Sequence, residues 1–157
     1  MNIKDEKITI IARDNMKEIT VDATMDNVEK VIQFVCNPLK ELEFSKKSIM
    51  HVRLACEEIL VNIVSYAYSD ASQNTNKTMK VKYEIIEDNK EVRIVFEDSG
   101  IPFNPLENKD PDITLKGSER KPGGLGIYMT KKIMDDIQYE YTENKNILTV
   151  RKKPIVK

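Results

Sequence analysis

The sequence predicts an α+β fold with two layers, in which paired strands form a sheet and three helices lie against it. Alternating apolar and polar residues occur in pairs of short segments joined by turn residues, which is the pattern of β-hairpins. Helical periodicity occurs between these pairs and not between single strands, so a parallel βαβ sheet is not indicated. The length of 157 residues suits one domain with a sizeable core, and we expect residues 1–157 to form a single domain.

Three pairs of strands are expected along the chain. The strands of each pair are short, rich in β-branched and aromatic residues, and separated by polar turn residues. The expected pairs are 7–12 with 18–21, 79–87 with 91–97, and 137–142 with 146–152.

Three helices are expected outside these pairs. The first, capped by Asp26, is expected to end near Cys36 because Asn37-Pro38 follows. The second begins at Ser45, a favourable N-cap, and continues to about Tyr68. The third covers residues 124–136.

Composition excludes several classes of protein. A formal net charge of -1 argues against a general nucleic-acid or membrane surface, which would favour basic residues. No apolar run approaches the length of a membrane span and the first residues are too polar for a signal peptide, so we expect a cytoplasmic protein. Cys36 and Cys56 lie in apolar helical patterns and are expected in the core. With His51 as the single histidine, zinc is not indicated, and any metal should be a hard ion such as Mg²⁺.

The glycines are concentrated in one part of the chain. All five fall between Gly100 and Gly126, and three belong to the run Gly123-Gly124-Leu125-Gly126 before the third helix. Glycine lets the backbone approach another group closely, and a helix N-terminus favours anions, so this run indicates a phosphate cradle. It is neither a Walker A loop nor a dinucleotide fingerprint. The cations Lys116 and Arg120 precede it and suit phosphate.

Glu58 and Asn62 are four residues apart on the long helix and therefore share a face. Apolar residues flank them on both sides, and polar groups in such surroundings need partners. Two interpretations stay open: a structural hydrogen-bond network, or a site in which the amide oxygen holds a metal and the carboxylate accepts a proton.

A third polar motif follows the strand that ends at residue 97. Asp98-Ser99-Gly100 is an ordinary turn signal. Asp98 at the end of a buried strand can instead present a fixed acceptor to an exocyclic amine, while Gly100 lets a flat ring approach the backbone.

Together these motifs, Glu58-x-x-x-Asn62, Asp98-x-Gly100-x-Pro102-Phe103 and Gly123-Gly124-x-Gly126, resemble the N, G1 and G2 boxes of the GHKL ATPase superfamily. The chain is most similar to its small, single-domain branch of anti-sigma-factor serine-protein kinases, for which the stretches 98–105 and 119–127 are typical. The resemblance implies the Bergerat fold, a mixed and mainly antiparallel sheet covered on one face by about three helices.

The resemblance also implies roles for individual residues. Asp98 would bind the adenine amino group, Asn62 would hold Mg²⁺, and Glu58 would act as general base on a serine or threonine hydroxyl. Residues 106–123 would form a lid over ATP. The residues implied to bind the cofactor, ATP with Mg²⁺, are Asn62, Asp98, Gly100, Pro102, Phe103, Lys116, Arg120, Gly123, Gly124, Leu125 and Gly126.

Two functions are consistent with these motifs. In the first, the protein is a kinase that phosphorylates a STAS-type anti-sigma-factor antagonist in a partner-switching pathway, with a sigma factor as a further partner. In the second, it holds ATP as a structural ligand and sequesters a partner without transferring phosphate. Glu58 favours the kinase, because an adapter needs no carboxylate there. Relatives in this branch are commonly homodimers, and residues 28–35 of the first helix are a candidate dimer surface. Tyr66 departs from the branch, where histidine is frequent.

Overall fold

The structure, a computed structural model, describes residues 8–13, 16–42, 44–68, 76–86, 91–107 and 125–154. Its elements in chain order are β1 (Thr9–Arg13), β2 (Met16–Asp22), α1 (Met25–Glu41), α2 (Lys46–Asn62), a π-helical turn (Ile63–Ala67), β3 (Thr78–Ile86), β4 (Glu91–Asp98), a 3-10 turn (Pro105–Glu107), α3 (Leu125–Ile133), β5 (Asp136–Thr142) and β6 (Lys145–Lys152). Within these ranges, no helix has both the length and the apolar character that crossing a membrane requires.

The strands form one six-stranded sheet in the order β1-β2-β3-β4-β6-β5. Each of the described pairings is antiparallel, and the three expected hairpins are β1–β2, β3–β4 and β5–β6. The predicted α+β class and the two-layer arrangement are confirmed. Pairing of β4 with β6 places the ends of two non-consecutive strands side by side, and the candidate site lies at those ends.

Alternation along the strands separates a buried face of the sheet from a charged one. Inward side chains of the three central strands pack with the helices in a single core; they are Met79, Val81, Tyr83, Val92, Ile94, Phe96, Leu148 and Val150. On the opposite face, the Lys82 ammonium lies 3.2 Å from a Glu97 carboxylate oxygen and 3.7 Å from one of Glu18. The helices therefore cover one face of the sheet, and ion pairs occupy the other.

Helix α1 differs from its predicted form. It begins after the N-cap Thr24 instead of Asp26, and it continues through Pro38 to Glu41, so the predicted end near Cys36 is wrong. Continuing the helix buries Leu39 completely, and this packing outweighs the proline's missing N–H. Four apolar residues of the range 28–35 are buried in the core and Phe34 is partly buried against it, which also corrects their assignment as a dimer surface; the four are Val28, Val31, Ile32 and Val35.

Helix α2 lies between α1 and α3 and contacts both. Its predicted cap is confirmed, because the Ser45 hydroxyl accepts a hydrogen bond from the Ser48 backbone N–H at 3.0 Å. The Arg53 guanidinium binds both carboxylate oxygens of Glu29 on α1, at 2.7 and 2.8 Å. The helical region ends at the expected place, but its last turn, Ile63–Ala67, is π-helical. π-Helical turns are rare in proteins, and those that occur often lie at functional sites.

Helix α3 ends at Ile133, three residues before its predicted end at Asp136. The Lys152 ammonium donates to the Ile133 carbonyl at 2.6 Å and satisfies the helix C-terminus. Asp135 already donates its backbone N–H to Arg151 of the neighbouring strand, so pairing with β6 replaces the last helical turn.

Candidate functional site

A pocket opens where the end of α2, the loop after β4, the start of α3 and the β5–β6 hairpin meet. It encloses about 490 Å³ of empty space, including its open mouth, which is in the range of small-molecule sites. Its wall is mostly apolar with a few convergent polar groups; the lining residues are Ile59, Asn62, Ile63, Tyr66, Ala67, Phe96, Asp98, Ile101, Phe103, Pro105, Ile127, Tyr139, Asn146 and Leu148.

Asp98 is the buried carboxylate of this pocket. As the last residue of β4 it continues the inward positions of that strand, and 8% of it is exposed. Its Oδ1 atom accepts hydrogen bonds from the Gly100 backbone N–H and from Asn146 Nδ2, both at 2.9 Å. Burial raises the pKa of the Asp98 carboxyl, and these two hydrogen bonds oppose that rise. Both of these bonds end on Oδ1, so as far as the described residues go, Oδ2 is the oxygen left for a ligand.

The loop after β4 is fastened to the π-helical turn of α2. The Ile101 backbone N–H donates to the Ala67 carbonyl at 3.0 Å. The Tyr68 hydroxyl accepts from the Ser99 N–H at 3.0 Å and donates to the Thr78 carbonyl at 2.5 Å. A Cβ atom added at Gly100 would lie 2.1 Å from the Ala67 oxygen, so glycine is required for this approach.

The contact at Gly100 predicts the effect of adding one methyl group there. Gly100→Ala is expected to destabilise the fold by about 2 kcal/mol or more, because the carbonyl it meets is backbone and cannot rotate away. Urea titration followed by circular dichroism measures this. Gly126→Ala is the comparison, since its Cβ would meet the end of a flexible side chain. Equal stability of the Gly100→Ala variant and the wild type would contradict the prediction.

Glu58 and Asn62 lie on successive turns of α2 and are both half-buried. Asn62 lines the pocket, whereas Glu58 is outside its wall and faces the first turn of α3. A Cβ atom on Gly126 would lie 1.8 Å from Glu58 Oε2, so the two helices approach most closely where Glu58 meets a glycine. The buried Thr130 hydroxyl donates to the Gly126 carbonyl at 2.9 Å and braces this turn.

The donor atoms at this end of the pocket fit a metal that is shared with a ligand. Among the described residues, no group of three or more His, Cys, Asp or Glu side chains could hold a metal by itself. The Asn62 amide supplies a hard oxygen donor, and Mg²⁺ commonly takes one or two protein ligands, with phosphate oxygens and water completing its shell.

The structure brings some predicted site residues together and does not describe others. Asn62, Asp98 and Phe103 line the pocket, Gly100 and Pro102 belong to the same loop as Phe103, and Gly126 lies against Glu58. Leu125 begins α3, and nothing is described of its side chain. The remaining predicted residues lie outside the described ranges, as does most of the predicted lid; they are Lys116, Arg120, Gly123 and Gly124. The roles of all these residues stay predictions.

Sequence reasoning missed Asn146, which lies opposite Asp98 in the β4–β6 register. One signal could have found it: Asn146, Leu148 and Val150 share the inward face of a strand, and an amide there needs buried partners. The strand itself was predicted, but its pairing with β4 was not.

Known protein families and proteins resemble this chain in sequence. The family model of the histidine kinase-like ATPase domain matches residues 21–152. The serine-protein kinase RsbW of Listeria monocytogenes serovar 1/2a is 27% identical over 112 residues, covering 69% of this chain and 68% of that protein. RsbW of Bacillus cereus strain Q1 is 25% identical over 136 residues, covering 85% and 82%.

A solved structure has the same fold. The RsbU and RsbW domains of Rv1364c from Mycobacterium tuberculosis match with a TM-score of 0.63 and 17% identity. The match covers 91% of this chain but 33% of that longer chain. At this identity the likeness supports the fold alone, and it agrees with the GHKL-type architecture expected from the motifs.

Proposed function

The chain belongs to the family of histidine kinase-like ATPase domains, and from this premise we propose that it is an ATP-dependent protein serine/threonine kinase of the anti-sigma-factor type. Its substrate in this proposal is a STAS-type antagonist protein, and a sigma factor is the partner whose release the phosphorylation controls. Relatives named serine-protein kinase RsbW support the reaction class. We further propose that residues 1–157 act as one cytoplasmic domain and assemble as a homodimer.

The proposed adenine site is the apolar pocket around Asp98. The pocket wall suits a flat ring, and a buried acceptor selects a ligand that carries a hydrogen-bond donor, because any other partner would leave the acceptor unsatisfied. Asp98 Oδ2 is that acceptor in the proposal, and the 6-amino group of adenine is the donor. This buried carboxylate, in the wall of an apolar pocket, is the observation that carries the proposal.

The proposed phosphate site lies toward Asn62 and the start of α3. The Asn62 amide oxygen would hold Mg²⁺, which neutralises phosphate charge when it is bound. The N-terminus of α3 presents backbone N–H groups, which favour anions. The ligand would therefore extend from the end of β4 at Asp98 toward the contact between α2 and α3.

Glu58 distinguishes a kinase from an adapter. In the proposed step, the hydroxyl oxygen of the acceptor residue forms a bond to the γ-phosphorus, and the bond from that phosphorus to the β–γ bridging oxygen breaks. The hydroxyl proton passes to the Glu58 carboxylate, and ADP leaves with the bridging oxygen. Glu58 is half-buried beside the N-terminus of α3, next to the proposed phosphate site.

The proposal is tested by incubating the protein with Mg-ATP and a candidate STAS-domain partner. The expected result is incorporation of phosphate into a serine or threonine of the partner, detected by mass spectrometry. ATP binding without transfer to any tested partner would favour the sequestering adapter instead. Absence of ATP binding by isothermal titration calorimetry would contradict both functions.

A further inference from the structure

Asn146 joins three elements of the pocket through one side chain. It lies on β6, 6% of it is exposed, and it faces the end of β4. Its Nδ2 group donates to Asp98 Oδ1 at 2.9 Å and to the Ile101 carbonyl at 2.8 Å. Its Oδ1 atom accepts from the Phe103 backbone N–H at 3.0 Å and from the Tyr139 hydroxyl at 2.5 Å.

These four hydrogen bonds use the full capacity of an asparagine side chain, which has two donors and two acceptor sites. A fully bonded, buried amide has one orientation, because turning it over would place donors against donors. The donor side of Asn146 therefore faces Asp98, and its acceptor side faces the loop and β5.

The Asn146 Nδ2 group is one of two donors that stabilise the charged form of the buried Asp98 carboxyl. Burial raises the pKa of the Asp98 carboxyl, and the donors that oppose the rise are the Asn146 side chain and the Gly100 backbone. Within the described ranges, the ionisable groups that interact with Asp98 from neighbouring elements are the phenols Tyr68 and Tyr139, which bring no positive charge. Of the two donors, Asn146 is the one that belongs to a side chain.

We propose that Asn146 is a positioning residue that keeps Asp98 a hydrogen-bond acceptor and thereby sets the preference of the pocket for 6-aminopurine over 6-oxopurine nucleotides. The inference rests on the proposed nucleotide-binding function. With Oδ1 held by two N–H donors, Oδ2 meets the ligand as an acceptor. It suits an amino group and opposes a carbonyl oxygen at the same ring position.

Asn146→Asp tests the proposal with almost no change in shape. The new carboxyl would lie against Asp98, and two carboxylates in contact share one proton. Asp98 could then donate to a 6-oxo group, so the ratio of ATP to inosine triphosphate affinity is expected to fall by about tenfold or more at neutral pH. Calorimetric or fluorescence titration of the full chain with each nucleotide gives this ratio.

Tyr139→Phe is the matched control. It removes one hydrogen bond from the acceptor side of Asn146 and leaves both donors to Asp98 and Ile101 in place. Tyr139 lines the pocket, so the affinity for each nucleotide is expected to change, but by a similar factor for both. The affinity ratio is expected within about twofold of the wild type, because Asp98 keeps its donor. A similar loss of preference in both variants would mean that general loosening of the pocket, not the donor, is responsible, and would overturn the proposal.

Two further measurements separate positioning from folding. Both nucleotides encounter the same folded fraction, so their affinity ratio does not depend on partial unfolding. Asn146→Ser removes the amide donors without adding a charge, and a lowered ratio is expected there as well. In an Asp98→Asn background, Asn146→Asp should change the ratio by less than about twofold, because the group through which it acts is already altered.

The outcomes distinguish this inference from the proposed function. A wild-type protein that binds neither nucleotide overturns both. A wild-type protein that prefers ATP, and loses that preference in Asp98→Asn but keeps it in Asn146→Asp and Asn146→Ser, overturns only the role of Asn146.

Discussion

Replacing Glu58 with glutamine is expected to lower the rate of phosphoryl transfer by about 100-fold to 10,000-fold, the range that general-base catalysis contributes. Glutamine has nearly the same shape but cannot accept the hydroxyl proton. Since Glu58 lies outside the pocket wall, ATP affinity should stay within about threefold of the wild type. Single-turnover transfer of labelled phosphate to the partner protein, with ATP affinity determined separately, measures the two effects.

Gly126→Ala is a second substitution, on the facing helix α3, that affects the Glu58 carboxylate. The added Cβ would meet Glu58 Oε2 and push the carboxylate away without altering its chemistry. Transfer should therefore fall in this variant too, while the backbone N–H of residue 126 is kept. Unchanged transfer in the Glu58→Gln variant would show that the proton goes elsewhere and would exclude the proposed mechanism.

Replacing Asp98 with asparagine is expected to weaken ATP binding by about tenfold to 100-fold, because a buried acceptor is exchanged for a group that also donates. The Gly100 and Asn146 N–H groups both face Oδ1, so the new amide must place its carbonyl there and its NH₂ toward the ligand. That NH₂ would oppose the amino group of adenine. Titration calorimetry with ATP and with inosine triphosphate measures the loss and its dependence on the base.

Glu97→Gln is the matched control for this substitution. Glu97 is adjacent in sequence, but its carboxylate pairs with Lys82 on the charged face of the sheet, away from the pocket. It removes the same charge and should leave ATP affinity nearly unchanged. An equal effect of both substitutions would indicate long-range electrostatics instead of a contact with the base.

Acid should weaken ATP binding through the same group. The pKa of the Asp98 carboxyl is raised by burial, so its acceptor form is lost as pH falls through a value above the ordinary one for aspartate. The wild type should therefore lose ATP affinity earlier on acidification than its Asp98→Asn variant, which has no proton to gain at this position. Parallel pH profiles of the two proteins would contradict this assignment.

The sequence predicted the parts of the fold that depend on local pattern. Alternation and turn residues located the three hairpins, and Ser45 was recognised as a cap because its bond to Ser48 needs no distant partner. Pro38 misled the prediction for α1, because a local preference was outweighed by burial of Leu39 against residues far along the chain. The end of α3 was missed for a similar reason, since competition from β6 is not visible in the helix itself.

The candidate site also contains residues that local sequence could predict and residues that it could not. Glu58 and Asn62 could be placed on one helix face by their spacing, and Asp98 by its position at a strand end. The partner of Asp98 could not be identified, because Asn146 becomes its neighbour only through the β4–β6 pairing of strands that are not consecutive. The π-helical turn was equally hidden, since its sequence also fits an α-helix.

The contact between Gly100 and Ala67 links the two ends of the proposed nucleotide site. Asp98 belongs to the sheet and Glu58 to α2, and the link from the loop after β4 to the end of α2 holds one in register with the other. In the proposed function, a nucleotide bound at its base would then reach the Glu58 carboxylate at a fixed distance. A shift of the base in the proposed site would therefore also shift the γ-phosphate relative to Glu58. A displacement of about 1 Å there can lower the rate of transfer roughly 100-fold.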